Sequence, residues 1–202
     1  MRRIIAVAIT GLFLMAMTLR ESRSQTPASK TPGPQFTSDG KLVRPEGYRR
    51  WVYVSSGFGM SYDPNVGGNG APAFTNVFVN PAAYDYFQAN GRWPDKTMFV
   101  LEEYRSTSHG SINQHGSYQE SFLGLDVEVK DEARFPDKWA YFGFDASQAS
   151  SGAIKPGQNG CWKCHDTNAA VEHSFVQFYP ELLKVATEKG TIKASVHLEN
   201  KK

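Results

Sequence analysis

Five consecutive residues late in the chain, Cys161-Trp162-Lys163-Cys164-His165, have the types and spacing needed for covalent haem attachment. In this C-x-x-C-H pattern each thiol can add to a haem vinyl group to form a thioether, and the histidine can ligate iron through its imidazole. On a helix, this spacing places both sulfurs and the imidazole on one side. The pattern predicts haem c, one per chain, attached through Cys161 and Cys164, with His165 as the iron ligand.

Two other uses of this cysteine pair are open on the sequence. A redox-active dithiol normally opens a helix just after a strand near the start of an α/β unit, whereas this pair follows the Gly/Pro-rich loop 152–160. A disulfide between Cys161 and Cys164 would close a very small loop and contribute little stability. A four-cysteine zinc site is excluded because the chain has only two cysteines.

The N-terminus has the pattern of an export signal. Arg2 and Arg3 precede the apolar stretch 4–17, which is short for a membrane span. Residues 1–24 are predicted to be a signal peptide, with the mature chain starting near Gln25; a retained membrane anchor is the alternative. Haem attachment to a C-x-x-C-H motif takes place outside the bacterial cytoplasmic membrane. A periplasmic protein with no membrane span after cleavage is therefore predicted.

Removal of the leader changes the charge of the chain. The 22 basic and 20 acidic residues fall to 18 and 19, because residues 1–24 hold four Arg and one Glu. A nearly neutral mature chain does not favour nucleic acid or an anionic membrane as partner. Composition divides the mature chain into a flexible Pro/Ser/Thr-rich linker over 25–40, one haem domain over 41–193 and a polar tail over 194–202.

Hydrophobic patterning predicts an α+β fold with a mainly antiparallel sheet, a short helix between strands and C-terminal helices that carry the haem motif. The short helix spans Pro81–Ala89, after Asn80 as N-cap and before the Asn90-Gly91 stop. The last helix is amphipathic and spans Ser174–Lys189. The predicted strands are Trp51–Ser55, Phe74–Val79, Thr97–Arg105, Phe122–Lys130 and Trp139–Phe144.

Two of these strands have informative patterns. Thr97–Arg105 begins with apolar residues on both faces, which predicts a central strand covered on each side. Phe122–Lys130 alternates, so one set of side chains is expected to face inward and the other outward. The inward set is Leu123, Leu125, Val127 and Val129, and the outward set is Asp126, Glu128 and Lys130.

Five segments of the chain form a recognisable set by their order and spacing. They are Tyr48-Arg49-Arg50-Trp51-Val52, Val79-Asn80-Pro81-Ala82-Ala83-Tyr84, Gly91-Arg92-Trp93-Pro94-Asp95, the C-x-x-C-H motif and Phe175-Val176-Gln177-Phe178-Tyr179-Pro180. Together these segments make the chain resemble the cytochrome P460 family, whose relatives include the cytochromes c′-beta. The resemblance covers about residues 42–192. It implies a mainly antiparallel sheet packed with helices, one c-type haem per subunit and usually a homodimer.

The resemblance also indicates where this chain differs from the family's enzymes. Those enzymes oxidise hydroxylamine and carry a lysine bonded to the haem ring, immediately before a Glu on a strand. The matching positions here are Leu101 and Glu102, and leucine cannot form the link. Lys96 lies five residues earlier and on the opposite strand face from Leu101. Binding of a small ligand such as NO, or electron transfer to an unidentified redox partner, is therefore favoured; a hydroxylamine oxidoreductase is the alternative.

An apolar pocket is expected over the iron, with Phe74, Phe78, Phe99 and Leu101 in its lining. Such a pocket would leave the iron five-coordinate and open to neutral gases, and it would disfavour anions.

Polar residues could modify this pocket. His109 and His115 compete as sixth ligands, although their polar loop favours solvated side chains. Glu102 is a candidate proton relay if burial raises its pKa, and a salt bridge with an arginine is the alternative. Arg49 and Arg50 could neutralise haem propionates, and His173 is interpreted as structural or exposed.

Overall fold

The computed structural model describes residues 33–60, 72–155, 157 and 160–198. The predicted signal peptide, residues 1–24, lies outside the described residues. So do residues 25–32 of the predicted linker and residues 199–202 of the predicted tail.

The main sheet has five antiparallel strands in the order β2-β3-β4-β5-β6, which is also their order along the chain. A separate two-stranded sheet pairs β1 with β7. With three α-helices, this arrangement confirms the predicted α+β class. The strands are β1 (Leu42–Val43), β2 (Val52–Phe58), β3 (Ala73–Val79), β4 (Met98–Thr107), β5 (Tyr118–Lys130), β6 (Trp139–Phe144) and β7 (Ser150–Ser151).

The middle strand β4 is covered on both faces, as its apolar pattern predicted. Phe99 packs in a cluster with α1 (Pro81–Asn90) and α3 (Pro180–Glu188). Met98 and Val100 point the other way, into a second cluster with residues of β5, β6 and the N-terminal segment. The sheet therefore separates two apolar cores, and we call the side that faces α1 and α3 the helix face.

The termini of α1 follow the sequence signals, with one difference. Pro81 occupies the first turn, and Gly91 ends the helix in the left-handed region at φ 66°, with its N–H bonded to the Phe87 carbonyl at 2.7 Å. Asn80 is the N-cap residue, but its side chain makes no capping bond. Its Oδ1 instead accepts a hydrogen bond from the Met98 N–H at 2.8 Å, which ties α1 to the start of β4.

The predicted helix Ser174–Lys189 is wrong in its first half. The structure has a short 3-10 helix at Val176–Phe178, and α3 starts only at Pro180. Proline disfavours helical geometry at the residue before it, and Tyr179 is accordingly extended, with φ −114° and ψ 90°. This break lets the chain turn beside the haem motif before α3 packs on the sheet.

The outward set predicted for β5 is also corrected by the structure. Glu128 and Lys130 are only 8% and 6% exposed, because the helix face is covered at that end of the strand. Leu123, predicted to face inward, is 39% exposed. It is the extra residue where the register between β4 and β5 shifts, and such a bulge interrupts the alternation.

Part of the segment predicted to be a flexible linker packs against the rest of the domain. The Phe36 ring packs against the rings of Phe135 and Phe142, with centroids 6.1 and 6.3 Å away. Phe36 also forms an isolated bridge with Leu42. Within the described residues, no helix has the length and apolar character needed to cross a membrane.

Candidate functional site

A cavity of about 770 Å³ lies on the helix face of the sheet, between the strands and the helix that carries the cysteines. This volume is in the ordinary range for a small-molecule or cofactor site, about 300–1,000 Å³. Cys161, Cys164 and His165 all line it. The structure therefore brings the whole motif to the wall of one cavity.

The short helix α2 (Cys161–Asn168) sets the geometry of the motif. It follows Gly160, which has a left-handed φ of 71°, and the Cys164 N–H donates to the Gly160 carbonyl at 2.9 Å. Both cysteines are half-buried. Burial, followed by the nearby charge of Asp126, raises the pKa of the Cys161 thiol.

The imidazole of His165 is held from several sides. Its Nδ1 bonds to the backbone carbonyl of His173 at 2.6 Å, which fixes the tautomer and leaves Nε2 available as a ligand atom. The rings of Tyr141 and Phe175 pack against it, each with centroids 4.5 Å away. Glu128 Oε1 lies 3.5 Å from the same Nδ1. Burial lowers the pKa of His165, but Glu128 and the His173 carbonyl more than offset this, so the pKa lies above its ordinary value.

The wall opposite α2 is the helix face of the sheet, where strand register places side chains in three rows. Leu101, which the resemblance matches to the family's cross-linking lysine, lies in the middle row and lines the cavity. The rows are Thr75, Glu103 and Gly124; Val77, Leu101, Asp126 and Gly143; and Val79, Phe99, Glu128 and Tyr141.

No lysine is among the described residues that line this cavity. Lys96 precedes β4 and forms an ion pair with Asp131 instead.

Three carboxylates line the cavity that the sequence interpretation did not place there: Glu103, Asp126 and Glu128. Burial, and then the charge of Asp126, raises the pKa of Glu103. Asp126 is accessible because it borders the open cavity, yet the surrounding protein desolvates its carboxyl and raises its pKa. Burial likewise raises the pKa of Glu128. For Glu103, the sequence held a usable signal: side chains alternate along a strand, so residues 99, 101 and 103 must share a face.

Three predicted pocket residues lie on the opposite face of the sheet and need correction. Phe74 packs against Phe58, with ring centroids 4.5 Å apart. Phe78 packs against Tyr48, with centroids 5.7 Å apart. Neither side chain lines the cavity, and neither does Glu102. Each of the three is adjacent in sequence to a residue that does line it. Because successive residues of a strand point to opposite faces, all three point away from the cavity.

Glu102 forms a buried network on that opposite face. It is 4% exposed and accepts hydrogen bonds from the Tyr48 hydroxyl at 2.7 Å, Arg49 Nε at 3.0 Å and Asn76 Nδ2 at 3.1 Å. The salt-bridge alternative to the proton relay is thus what the structure shows. Because its guanidinium is committed to Glu102 and to the Tyr104 hydroxyl, Arg49 is also directed away from the cavity.

The other predicted histidines have distinct positions. His109 and His115 are exposed loop residues and do not line the cavity. His173 is half-buried, its Nδ1 lies 3.1 Å from the Tyr141 hydroxyl, and burial lowers its pKa to about 4. Of the two interpretations of His173, structural or exposed, these contacts favour the structural one. Its structural importance lies in its carbonyl, which no residue-type pattern reveals.

The donor set of this cavity fits a c-type haem. It combines two thiols at thioether spacing, an imidazole with Nδ1 engaged, and an apolar wall suited to a macrocycle. Cys161 and Cys164 would hold the ring covalently, and His165 would supply the axial ligand. The apolar wall includes Val77, Phe99, Leu101, Phe175 and Phe178.

A family model described as Cytochrome P460 matches residues 45–176. The matched range starts just before β2 and ends in the 3-10 helix that follows α2, so it includes every strand of the main sheet and the C-x-x-C-H motif. A search of curated proteins finds no match.

Proposed function

Because this chain belongs to the cytochrome P460 family, whose members bind haem c, we propose that it is an exported mono-haem protein that binds a small uncharged ligand such as NO. The observation that carries the proposal is the single cavity in which Cys161, Cys164 and His165 face the apolar side chains of Phe99 and Leu101. Haem iron with one axial imidazole supplies an open coordination position and can exchange one electron.

The protein's own residues account for the preference for an uncharged ligand. Leu101 stands at the position that the resemblance matches to the family's cross-linking lysine, and leucine cannot bond to the haem ring, so we propose a ring without this link. The cavity wall offers aliphatic and aromatic surface together with carboxylates, but no lysine among its described residues. An anion entering such a site would lose hydration without gaining a cationic partner. A neutral diatomic ligand would not pay this cost.

Exposed histidines do not compete for the iron in this arrangement. His109 and His115 lie on a surface loop away from the cavity lining, so a five-coordinate haem is proposed rather than a bis-histidine one. We also propose a periplasmic location, which the N-terminal sequence supports, and a homodimer, which the resemblance supports.

The first test is an NO titration of the purified ferrous protein followed by visible absorption. We expect high-spin features that convert completely to a nitrosyl spectrum, because the iron has an open position. A His109→Ala/His115→Ala double variant should behave identically, since neither side chain reaches the cavity. A low-spin spectrum that does not respond to NO would contradict the proposal and leave electron transfer as the function.

A second candidate function is oxidation of hydroxylamine, favoured by the carboxylates Glu103 and Asp126 in the cavity wall. Oxidation of hydroxylamine releases electrons, which an external acceptor would take, and protons. A desolvated carboxylate with a raised pKa binds a proton more readily than an exposed one, so these groups are suited to accept those protons. These groups are the polar bases that a purely gas-binding pocket would not need. The absence of a lysine at position 101 argues against this alternative.

The carboxylates allow a direct test of this alternative. If the protein is an oxidoreductase, Asp126→Asn should lower hydroxylamine-dependent reduction of a dye acceptor by about 10²-fold or more, as expected for loss of a general base. Glu102→Gln is the matched control, because this neighbouring carboxyl points to the opposite face and should leave turnover unchanged. No turnover by the unmodified protein, or equal losses in both variants, would exclude Asp126 as a catalytic base.

A further inference from the structure

A buried ion pair lies beside the segment that holds His165, and the proposed function does not use it. Lys130, the last residue of β5, is 6% exposed, and its Nζ lies 2.8 Å from Glu172 Oε2. The same Nζ donates to the Trp93 carbonyl at 2.7 Å. Glu172 Oε1 accepts a hydrogen bond from the Trp93 N–H at 3.4 Å, so both members of the ion pair are bonded to the backbone of Trp93.

Glu172 lies in a tight turn with an unfavourable backbone conformation. Its φ is 51°, in the left-handed region that favours glycine or asparagine over glutamate. The turn is closed by paired backbone bonds between Val171 and Ser174, at 3.3 and 2.9 Å. A residue kept in this region needs support from its surroundings, and the bonds from Lys130 and Trp93 supply it.

The turn is anchored on its other side by the same tryptophan. Trp93 Nε1 donates to Ser174 Oγ at 2.6 Å, and that hydroxyl donates to the Val171 carbonyl at 2.9 Å. Trp93 is 2% exposed, so this anchor is part of the core. Lys130, Glu172 and Ser174 thus fix both ends of the turn to one rigid residue.

The residue inside this turn is His173, whose carbonyl accepts the 2.6 Å hydrogen bond from His165 Nδ1. Holding a lysine and a glutamate out of water is costly, and the left-handed glutamate adds strain. Both costs are met at Glu172, directly before the His173 carbonyl that orients the His165 imidazole. A purely structural turn could use glycine at position 172 and an apolar residue at position 130.

We propose that the Lys130–Glu172 ion pair is a positioning device for the axial ligand, which holds the His173 carbonyl against His165 Nδ1. This inference rests on the proposed role of His165 at the iron. A strong bond from Nδ1 to a carbonyl makes an imidazole a better electron donor and stabilises the ferric state. Loosening the turn should weaken the iron–histidine bond and raise the reduction potential.

Two variants and a matched control test the proposal on the haem-loaded protein. Glu172→Gln and Lys130→Met should each lower the iron–histidine stretching frequency of the ferrous protein in resonance Raman and raise its midpoint potential. In the double variant, the stretching frequency and the midpoint potential should change no more than in the single variant with the larger effect, because both substitutions act through the same turn. Glu102→Gln is the control: it weakens the ion pair of another buried carboxyl, on the opposite face of the sheet, and should leave the stretching frequency and the midpoint potential unchanged.

The outcomes separate this inference from the proposed function. If the unmodified ferrous protein shows no iron–histidine band, the haem is not five-coordinate with a histidine ligand, and the proposed function fails. If the band is present and neither variant moves it or the potential, the ion pair is only structural and the inference is wrong. An equal shift in Glu102→Gln would also overturn it, since general destabilisation would then explain the effect. If the Lys130→Met variant does not fold, the stretching frequency and midpoint potential of Glu172→Gln alone test the inference.

Discussion

Replacement of both Cys161 and Cys164 by alanine is expected to abolish covalently bound haem. These are the only cysteines in the chain, and both line the cavity beside His165. Without a thiol, no thioether can form, and haem held only by His165 should be lost under denaturing conditions. The measurement is the haem that stays with the polypeptide after acid–acetone extraction, and the expected result is a fall from one haem per chain to none.

Single variants and a neighbouring substitution control this experiment. Cys161→Ala or Cys164→Ala alone leaves one thioether, so haem should resist extraction while the pyridine haemochrome band shifts to the position of a singly attached haem. Lys163→Ala changes an exposed residue between the cysteines and should retain full attachment. Haem that survives extraction in the double variant would show that another side chain binds the ring.

The second large effect is expected from Phe87→Ala, in the core of the helix face. Phe87 is fully buried, stacks on Trp93 with centroids 4.1 Å apart and packs in the same cluster as Phe99. Its truncation should lower the free energy of unfolding by about 3–5 kcal/mol, through lost apolar burial and the resulting cavity. Urea unfolding followed by circular dichroism measures this change, with m-values compared to confirm a common unfolding transition.

The preceding residue supplies the control for that change. Tyr86 lies on the same helix but is 46% exposed, so Tyr86→Ala should change the free energy of unfolding by no more than about 0.5 kcal/mol. A loss below about 1 kcal/mol in Phe87→Ala would contradict the assignment of this residue to the core.

Sequence patterning predicted the order of the elements but not which strand face meets the haem motif. The central strand β4 is apolar on both faces at its start, so Met98 and Val100 on one face and Phe99 and Leu101 on the other satisfied the same pattern. Hydrophobicity does not distinguish two buried faces. Choosing the face requires knowing where α2 packs, which depends on contacts between residues far apart in sequence.

This ambiguity explains the errors at the site. Phe74, Phe78 and Glu102 lie on the face of the sheet that points away from α2. The type of a side chain, whether aromatic or carboxylate, therefore did not predict which face it occupies. Leu101 and Phe99, expected in the same apolar pocket, do line the cavity because both lie on the face that meets α2. Asp126 was expected outside because β5 alternates, but the side opposite its apolar residues opens into the cavity rather than toward bulk solvent.

The positioning of His165 could not be predicted from residue types. Its Nδ1 partner is a backbone carbonyl, and the turn that carries this carbonyl depends on Lys130, 42 residues away from Glu172 in sequence. The break before α3 was predictable, since Pro180 restricts Tyr179. Local rules therefore account for the ends of helices, whereas tertiary contacts account for the orientation of the candidate iron ligand.

The most direct test of haem attachment at Cys161–His165 beside an unlinked Leu101 is a proteolytic digest of the purified exported protein. Peptides are separated while the visible absorption of haem is followed, and each absorbing peptide is identified by mass. We expect haem on one peptide only, the one that contains Cys161, Cys164 and His165, at one haem per chain. Haem on no peptide would contradict covalent attachment. Haem joined also to a peptide from β4 or the segment before it, which contains Lys96, would contradict the unlinked ring.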